Sequence, residues 1–566
     1  MKRLCLSLAL PLVCWALGAQ QTGGSLSGFM QEELTDFQQF LTKENQEFIS
    51  FLREPWKQAD SEKPVEQRRK PEPKQPVRYD ANDRPPTAGP VCLPIEEILD
   101  LTTQEGKQQP TVQITDVEDI LFDDAPVAIL KPDKKPVVVI RETTPQEEPA
   151  PKVVVPAEMP QPEAEKKRPV VIVKERPEEP ALPQTPQRET PREQPPPPPP
   201  APRPQEKAGA PTLSLTFAGE SFAVSASLRE VFRLRALEEN SIADAYELLC
   251  RADSRPLLQQ LSQIRTSRSL NDWGYFQLIR QASGVLAAGS NERTLLQLFL
   301  LNESGYRAKI ARKSDEAKLL LFIAPDSKLY GRPYIQVNGQ TYYYIDGTEP
   351  CRFYMCQKDF SRATRPVGMA LQKAPLFAGK SVTRPHRTPG STISVSAPVP
   401  ESLMAFYQSY PQCDYGVYFH APVNPQVREA LFAALQPAIR GKSEAEAANI
   451  LISFVQTAFD YKTDPDQFGY EKPFFIEELF YYPYSDCEDR AMLYSYLVRE
   501  LLGLEVVLLD YPQHIATAVA FKGEVAGDYV VVSGRRYTVC DPTYIGAPIG
   551  QAMPQFRNVK AKIIQQ

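Results

Sequence analysis

The chain has 566 residues, a formal net charge of −6 and only three histidines, which lie far apart in the sequence. The lack of a basic excess argues against a dedicated nucleic-acid binder. The scattered histidines, with no HExxH or CxxC pair, argue against a histidine-rich metal centre. About 34 of the 56 prolines lie between Pro55 and Pro211, so we expect folded parts interrupted by one long unfolded insert.

The N-terminus is typical of an export signal. Residues 1–3 include two basic side chains, residues 4–17 are apolar, and small residues precede a polar segment. Because about 14 apolar residues are fewer than the roughly 20 that span a bilayer, we predict a cleaved signal peptide over 1–19. The protein is then exported to the periplasm, cell envelope or extracellular space, with no transmembrane segment after cleavage.

Cleavage at that point removes two of the nine cysteines and leaves an odd number. An oxidising compartment permits disulfides, and Cys351 and Cys356 are the nearest pair in sequence. One thiol is left over, which is a reason to look for a nucleophile.

Two further segments precede the folded part of the chain. Residues 28–57 are predicted to form an amphipathic helix, because apolar residues recur at alternating spacings of four and three; it could mediate self-association, dock onto another surface or stand alone. Residues 60–210 are predicted to be a disordered proline-rich linker with polyproline II structure at 195–200. The apolar stretches 137–140 and 170–173 are either docking strands or solvated linker.

Apolar periodicity returns from residue 211 and predicts two sets of elements in the same order, helices followed by strands, and hence an α+β fold. The first set has helices near 242–249, 273–286 and 292–301 and strands at 307–311, 318–323, 334–337 and 342–345. The second set has helices at 425–435, 444–459 and 487–502 and strands at 505–509, 514–521, 528–533 and 536–540.

The two sets also resemble each other residue by residue. NERTLLQLFLLNESGYRAKI aligns without gaps on DRAMLYSYLVRELLGLEVVL, and YIQVNGQTYYYIDGT resembles YVVVSGRRYTVCDPT, which pairs Asp346 with Asp541. Shared strand and turn residues could produce part of this similarity by chance. We nevertheless predict an internal duplication, with one domain over 211–385 and a second over 386–566.

The second set carries residues suited to nucleophilic chemistry. Asp486 can cap a helix that begins at Cys487, and a helix N-terminus favours the reactive thiolate. Two acidic residues follow the cysteine and oppose this effect, so a nearby cation is needed. His514 at a strand start can supply it, and Asp541 at a strand end can orient the histidine. The predicted roles are nucleophile, base and orienting acid, in that order.

The stretches DCEDRAMLYSYLVRELLGLEVV, YPQHIATAVAF and YTVCDPTY resemble the transglutaminase-like superfamily of papain-related cysteine enzymes, in particular the exported, proline-rich transglutaminase-like proteins of Bacteroidetes bacteria. The resemblance covers about residues 400–566. It implies a cysteine-bearing helix packed on an antiparallel sheet, and acyl transfer through a thioester released by water or by an amine. It also implies Cys487 as nucleophile, His514 as base and Asp541 as orienting acid.

The oxyanion donor is less clear from the sequence. The backbone N–H of Cys487 is a natural candidate at the helix start, and the side-chain amide of Gln467 is a weaker one, since an ordinary polar loop residue explains it as well. The aromatic residues around this loop either line a substrate groove or pack in the core and rim.

The first set departs from the pattern. Gly289 aligns with Cys487, Lys318 falls near the position of His514, and only Asp346 remains. This half cannot perform the same nucleophilic chemistry, so we expect a degenerate module that binds a partner, the substrate or the second half, or one with a structural role alone.

We therefore expect a cysteine hydrolase of amide or peptide bonds acting on a protein or peptide, with a peptidoglycan peptide among the candidates. A transglutaminase that joins amines to glutamine side chains is the variant of the same class. The hypothesis from another class is a non-catalytic scaffold or binding protein of the cell envelope. We expect no cofactor and no metal, and no loop has the spacing of an EF-hand.

Overall fold

Two six-stranded sheets, each packed against helices, organise the computed structural model, which describes residues 42–66, 75–81, 89–100 and 211–565. The predicted mixed α+β class with antiparallel sheets is confirmed. The signal peptide predicted over 1–19 lies outside the described residues, as do 101–210 of the predicted linker.

The described residues between 42 and 100 contribute one helix and two strands. Residues 42–53 are helical, followed by β1 (Lys57–Asp60) and β2 (Ile95–Asp100). The prediction of a helix as far as residue 57 is wrong at its end, because Pro55 lacks the N–H that a continuing helix needs and disfavours a helical residue before it. Residues 28–41 of that prediction lie outside the described part of the chain.

The prediction of a linker starting at residue 60 is also wrong over its first part. Strand β2 joins the edge of the second sheet by parallel pairing with the last strand of the chain. This pairing uses backbone groups and an existing sheet edge, so it needs no apolar periodicity that could be read from composition.

The helical residues 42–53 do not present a free apolar face. Phe48 and Leu52 are buried, and the ring of Phe48 packs edge-on against Tyr246 and Phe360. Arg53 pairs with Asp244 at 2.7 Å. The described part of the predicted helix therefore docks onto its own chain. Self-association through residues 28–57 stays a prediction.

The first folded region begins with a hairpin, β3 (Thr212–Phe217) and β4 (Glu220–Ser225). Four helices follow: Glu239–Arg251, Arg255–Ser267, Asp272–Leu286 and Ser290–Glu303. The strands after them are β5 (Ala308–Lys313), β6 (Leu319–Ile323), β7 (Tyr334–Val337), β8 (Gln340–Tyr344) and β9 (Arg352–Met355). The first sheet has the order β1-β9-β5-β6-β8-β7 and is antiparallel throughout.

A second hairpin, β10 (Ser381–Arg387) and β11 (Ser394–Pro400), leads into the next region. It crosses the boundary predicted between 385 and 386, because the two strands pair along their full length from Ser381↔Pro400 to Arg387↔Ser394. The halves also share a core: Trp273 packs against Tyr410 with ring centroids 5.8 Å apart. The predicted domain limit therefore falls within a hairpin.

The second folded region has seven helices among the described residues: Glu401–Tyr407, Gly416–Phe419, Pro425–Ile439, Glu444–Thr457, Asp464–Gln467, Ile476–Tyr481 and Cys487–Leu502. Two short parallel strands, β12 (Asp460–Tyr461) and β13 (Tyr484–Ser485), lie between the last four. Strands β14 (Glu505–Tyr511), β15 (His514–Ala520), β16 (Tyr529–Val532), β17 (Arg535–Cys540) and β18 (Ala561–Gln565) follow.

The second sheet has the order β16-β17-β15-β14-β18-β2. The first sheet repeats this order in its strands β7-β8-β6-β5-β9, and in both sheets the preceding helix packs on the two central strands. Each sheet is completed at the same edge by one strand from the N-terminal segment, β1 or β2.

Within the part of the chain that the structure describes, no helix combines the length and the apolar character needed to cross a membrane.

Candidate functional site

The helix Cys487–Leu502, here called the cysteine helix, begins and ends where the sequence predicted. Asp486 precedes it in an extended conformation, and its backbone N–H donates to Asp489 Oδ2 at 3.2 Å. Gly503 ends it with a φ of 64°, a left-handed conformation that glycine adopts without a steric penalty. Every residue from Cys487 to Val498 is buried, so the helix runs through the core and carries its first residue into the interior.

The Cys487 thiol lies at the first position of this helix and has no exposed surface. Its Sγ donates to Glu488 Oε2 at 3.1 Å. Burial raises the pKa of the thiol well above its usual value, and the charges of Glu488 and Asp486 raise it further. In this arrangement the protonated thiol is favoured, because desolvation and two carboxylates outweigh the helix N-terminus.

His514 is the first residue of β15, and Asp541 directly follows β17, the neighbouring strand. His514 Nε2 lies 2.8 Å from Asp541 Oδ2, and both side chains are buried. Asp541 Oδ1 accepts the backbone N–H of Thr543 at 2.9 Å, which fixes the carboxylate. A carboxylate on Nε2 favours the tautomer with the proton there and leaves the lone pair on Nδ1. Among the described residues, Nδ1 has no hydrogen-bond partner.

The cysteine helix packs on β15, the strand that begins at His514. Among the described residues, however, no hydrogen bond joins the Cys487 sulfur to the imidazole, because the thiol is bound to Glu488 and Nδ1 has no partner. The backbone of Ile515, the residue directly after His514, has a small opposing effect that lowers the pKa of the Cys487 thiol. The structure thus brings the cysteine helix onto the strand that carries the histidine, and it joins the histidine to the aspartate. The three residues singled out in the sequence lie at one end of the second sheet.

An aromatic side chain covers this group. Phe556, in the 3₁₀ turn Pro554–Phe556, stacks on the His514 ring with centroids 4.9 Å apart and planes inclined by 13°. It also stacks on Tyr511 at 4.9 Å. Cys487 and His514 have no exposed surface, so a substrate carbonyl can reach the sulfur only if the surrounding residues move.

A buried glutamine, which the sequence did not single out, holds the turn after Asp541. Gln456 Nε2 donates to the carbonyl oxygens of Asp541, Tyr544 and Ala547 at 3.1, 2.8 and 3.0 Å. Its Oε1 accepts the backbone N–H of Gly546 at 3.1 Å. One side chain therefore satisfies four backbone groups of the segment that positions the aspartate. No local pattern marks Gln456, since its partners lie about 85 to 91 residues away.

Five buried carboxyl groups surround the start of the cysteine helix, and we call them the acidic cluster: Asp464, Glu471, Asp486, Glu488 and Asp489. Burial raises the pKa of Asp464, Asp486 and Asp489, and the neighbouring carboxylates raise each of them further. The sequence predicted that the two acids after Cys487 would oppose the thiolate. It did not predict that a separate loop brings Asp464 and Glu471 against them.

A buried arginine lies beside the same helix turn. The Arg490 guanidinium donates to the carbonyl oxygens of Phe459 and Gln456 at 2.7 and 3.4 Å and to Ser485 Oγ at 3.3 Å. These partners are neutral oxygens. The arginine therefore ties the helix to β13 and to the preceding helix without forming a close ion pair with the acidic cluster.

Gln467, the weaker candidate for the oxyanion donor, forms a hydrogen bond with another loop. Gln467 Nε2 donates to the carbonyl oxygen of Tyr484 at 3.4 Å, so its amide links two loops. Of the nearby aromatic residues, Phe474 and Phe475 are buried in the core, whereas Tyr470 and Tyr484 are exposed. The backbone N–H of Cys487 stays the predicted donor at the helix start.

The strand register identifies the matching positions in the first sheet. The N–H of Lys313 donates to the carbonyl of Lys318 at 2.9 Å, which corresponds to the pairing of Tyr511 with His514. The next pair of strands matches as well. In the first sheet Phe322 pairs with Tyr344, and Asp346 follows two residues after the tyrosine. In the second sheet Ala518 pairs with Val539, and Asp541 follows two residues after the valine. Lys318 and Asp346 thus occupy the positions of His514 and Asp541.

The position of the cysteine in the first sheet is Gly289, which caps the helix Ser290–Glu303. A Cβ at this glycine would collide with the Glu292 carboxylate. Asp346 forms an ion pair with Arg280 at the surface. The first sheet therefore has glycine, lysine and aspartate where the second has cysteine, histidine and aspartate.

All seven cysteines of the described residues carry free thiols. Cys351 and Cys356, the nearest pair in sequence, flank β9 without being joined; Cys356 Sγ instead donates to the carbonyl oxygen of Phe51 at 3.6 Å.

Comparison of the chain with models of protein families, with curated proteins and with solved structures gives no match in any of the three. The functional conclusion therefore depends on the residues and geometry described above.

Proposed function

We propose that the region carrying the second sheet is a transglutaminase-like cysteine site for acyl transfer, with Cys487 as nucleophile, His514 as base and Asp541 as orienting acid. The observation that carries the proposal is the 2.8 Å contact between His514 Nε2 and Asp541 Oδ2, which leaves Nδ1 available at the strand start where the sulfur lies. This division of roles is the one that thiol nucleophiles need at neutral pH.

The chemistry follows in two balanced steps. Cys487 Sγ attacks the carbonyl carbon of an amide while His514 Nδ1 accepts the thiol proton, and Asp541 stabilises the imidazolium. Collapse of the tetrahedral intermediate breaks the C–N bond, the imidazolium gives its proton to the leaving amine, and a thioester remains on the sulfur. Water, activated by the neutral imidazole, then attacks the thioester and releases a carboxylic acid and the free thiol.

The backbone N–H of Cys487 would stabilise the oxyanion, since it lies at the first position of a buried helix. An amine in place of water would give a new amide instead of an acid. We favour hydrolysis of a protein or peptide, including a peptidoglycan peptide, by an exported enzyme, because water is abundant there and no amine-binding site is evident from the sequence.

We further infer that the two sheets are copies of one module and that the second copy retains the chemistry. The shared strand order and the register that matches Lys318 with His514 and Asp346 with Asp541 support this inference. The first copy lacks a nucleophile at Gly289, so we assign it a binding or structural role.

One observation favours a non-catalytic function. The Cys487 sulfur is wholly buried and its proton is held by Glu488, as for an ordinary core cysteine. In that case the chain would be a scaffold or binding protein of the cell envelope, and the buried polar residues would serve to specify the fold.

Alkylation of Cys487 distinguishes the two functions. The full chain is treated with iodoacetamide at neutral pH, and the modification of each cysteine is followed by peptide mass spectrometry. An acyl-transfer site predicts that Cys487 reacts faster than Cys540, a cysteine that is equally buried, and that His514→Ala abolishes the difference. His386→Ala, which removes a buried histidine elsewhere, is the matched control and should leave the rate unchanged. Equal rates for Cys487 and Cys540 in the unmodified protein would exclude the proposed enzyme.

A further inference from the structure

The turn formed by residues 552–557, here called the Phe556 turn, lies directly against the imidazole of His514. The Phe556 ring stacks on His514 and on Tyr511, with ring centroids 4.9 Å apart in both pairs. His514 has no exposed surface. A reagent or a substrate can therefore reach the imidazole only if surrounding residues move, and this turn is one of the elements in direct contact with the ring.

One buried carboxylate holds both ends of the Phe556 turn. Asp528 Oδ2 accepts the backbone N–H of Ala552 at 3.2 Å and lies 3.4 Å from Arg557 Nε in an ion pair. The side chain of Asp528 is wholly buried. A buried charge is tolerated when it is paired and hydrogen-bonded, and the loss of one partner is costly. The turn is therefore fixed at its two ends by a single oxygen atom.

The backbone places Asp528 beside the strand that leads to Asp541. The N–H of Asp528 donates to the carbonyl oxygen of Gly550 at 2.8 Å, and its own carbonyl accepts the N–H of Val539 at 2.9 Å. Val539 lies in β17, two residues before Asp541. The two chains approach so closely that a Cβ at Gly527 would collide with the backbone of Gly550. Asp528 is thus held firmly next to the candidate site without touching the imidazole.

The second oxygen of the same carboxylate binds the N-terminal part of the chain. Asp528 Oδ1 accepts the backbone N–H of Val91 at 3.1 Å. On both sides of this bond the backbone is paired with Tyr529, which donates to the carbonyl of Val91 at 3.0 Å and accepts the N–H of Leu93 at 2.8 Å. Leu93 is buried in an apolar cluster against which Phe556 also packs. Residues 91–93 therefore share both a carboxylate and an apolar cluster with the Phe556 turn.

A second N-terminal segment, residues 75–81, packs on the same turn. Tyr79 belongs to an apolar cluster that also contains Tyr544 and Phe556, and its ring lies edge-on to Tyr544 with centroids 5.5 Å apart. The N–H of Tyr79 donates to the carbonyl oxygen of Ile545 at 2.9 Å. Two parts of the chain that precede the predicted linker thus support the turn that lies on the histidine.

We propose that Asp528 is a positioning residue of the candidate site, which ties residues 91–93 to the Phe556 turn and makes access to His514 depend on the N-terminal part of the chain. Local opening of the turn must break the bonds of Asp528 to Ala552 and Arg557, so any change that weakens these bonds makes opening more frequent. That displacement of the N-terminal residues would regulate acyl transfer rests on the function proposed above. The exposure of the imidazole does not.

Modification of the full chain by diethyl pyrocarbonate, followed by peptide mass spectrometry, measures this exposure. His386 and His420, the other two histidines, are internal references. Asp528→Asn supplies one oxygen where the carboxylate uses two, and Arg557→Gln removes the ion pair. Each should raise the rate of modification of His514 at least about fivefold, because a buried donor or charge loses its partner. The rates of His386 and His420 should not change.

Two conservative variants separate positioning from a general loss of structure. Arg557→Lys keeps the positive charge and should restore most of the protection of His514 that Arg557→Gln removes. Tyr79→Ala should raise the rate at His514 several-fold, whereas Tyr79→Phe, which keeps the ring on Tyr544, should not. Glu505→Gln removes a carboxylate from an exposed ion pair with Arg535 on the same sheet and should leave all three histidines unchanged.

The role of Asp528 is overturned if Asp528→Asn and Arg557→Gln leave the rate at His514 unchanged. It is also overturned if His386 and His420 accelerate together with His514, since the whole fold then opens. An unchanged rate at His514 in Tyr79→Ala would refute the dependence on the N-terminal part of the chain. A Cys487→Ala protein should show the same pattern of histidine modification, so a failure of the acyl-transfer proposal and a failure of this one can be told apart.

Discussion

His514 Nε2 and Asp541 Oδ2 lie 2.8 Å apart at the ends of adjacent strands, and neither side chain is in contact with solvent. In a low-dielectric interior this contact holds the imidazole in one orientation and one tautomer. The helix that begins at Cys487 packs on the strand that carries His514. The histidine and the aspartate are therefore joined in this structure, whereas the Cys487 thiol is hydrogen-bonded to Glu488 and not to the imidazole.

Asp541→Asn should slow the alkylation of Cys487 by about 100-fold, since an amide can hold the ring but does not stabilise the imidazolium. The rate is measured by mass spectrometry across pH 6 to 9, roughly the range in which histidine and thiol groups change protonation. Asp346→Asn, which changes the matching aspartate of the first sheet, is the control. If Asp541→Asn reacts at the rate of the unmodified protein, the aspartate has no role in activating the site.

Phe556→Ala should accelerate the alkylation of Cys487 several-fold, because it removes the ring stacked on His514 at 4.9 Å. The substitution also costs stability, at most about 3 kcal/mol for a half-buried ring, so rates are compared well below the unfolding temperature. Phe556→Tyr keeps the stacked ring and should react slowly. Equal rates for the alanine and tyrosine variants would show that another part of the fold closes the site.

Gln456→Leu should lower the free energy of unfolding by about 2 to 4 kcal/mol, because the carbonyl oxygens of Asp541, Tyr544 and Ala547 lose their shared donor in a buried environment. Urea unfolding followed by circular dichroism measures the change. Gln408→Leu removes a hydrogen bond of an exposed glutamine to Tyr482 and should change stability by less than about 0.5 kcal/mol. A similar loss for both variants would contradict the positioning role of Gln456.

Glu477 should make the fold less stable as the pH rises. Burial raises the pKa of its carboxyl to about 7 from an ordinary value of 4.5, although it accepts the N–H of Asn424 at 2.5 Å. At a pH below the pKa of Glu477 in the unfolded chain, the carboxyl is protonated in both the folded and the unfolded state, so it does not change the free energy of unfolding. Between about pH 4.5 and 7 the unfolded state releases its proton first, so stability is lost as the pH rises, by at most about 3 kcal/mol.

Glu477→Gln removes the titration while keeping an oxygen for Asn424 and an N–H group for the Tyr407 hydroxyl, which lies 3.4 Å away. The free energy of unfolding of both proteins is measured in urea at pH 4, 5.5, 7 and 8, a range of roughly two units around the pKa shift. The value for the unmodified protein minus the value for the variant should fall as the pH rises. A difference that stays constant over this range would mean that the folded and unfolded forms bind the Glu477 proton equally well.

Local patterns predicted the parts of the fold that depend on near neighbours. The cysteine helix was predicted over 487–502 because an aspartate cap, an apolar face and Gly503 each act within a few residues. The four strands that follow it were predicted to within one or two residues for the same reason. By contrast, the helix Arg255–Ser267 and the hairpin β3–β4 were missed, although their apolar residues recur at helical spacing (257, 261 and 264) and at alternate positions (213, 215 and 217).

The candidate site also has a part that the sequence predicted and a part that it did not. Three residue types in a characteristic order marked Cys487, His514 and Asp541, and each lies at the end of a local element, where its position along the chain could be deduced. The environment of these three residues could not be deduced from the sequence. Gln456 acts on carbonyl groups about 85 to 91 residues away, and Phe556 stacks on His514 from a turn that follows Asp541 in the chain.

The sequence by itself determined the α+β class, the start of the cysteine helix and the residues able to carry thiol chemistry, since capping, periodicity and side-chain chemistry are properties of short segments. Only the tertiary structure decided that β1 and β2 complete the two sheets and that the sulfur is buried beside Glu488. It also decided that Asp464 and Glu471 join the acids of the cysteine helix. Burial and electrostatic contact depend on distances through space, and those arise when segments far apart in the chain pack together.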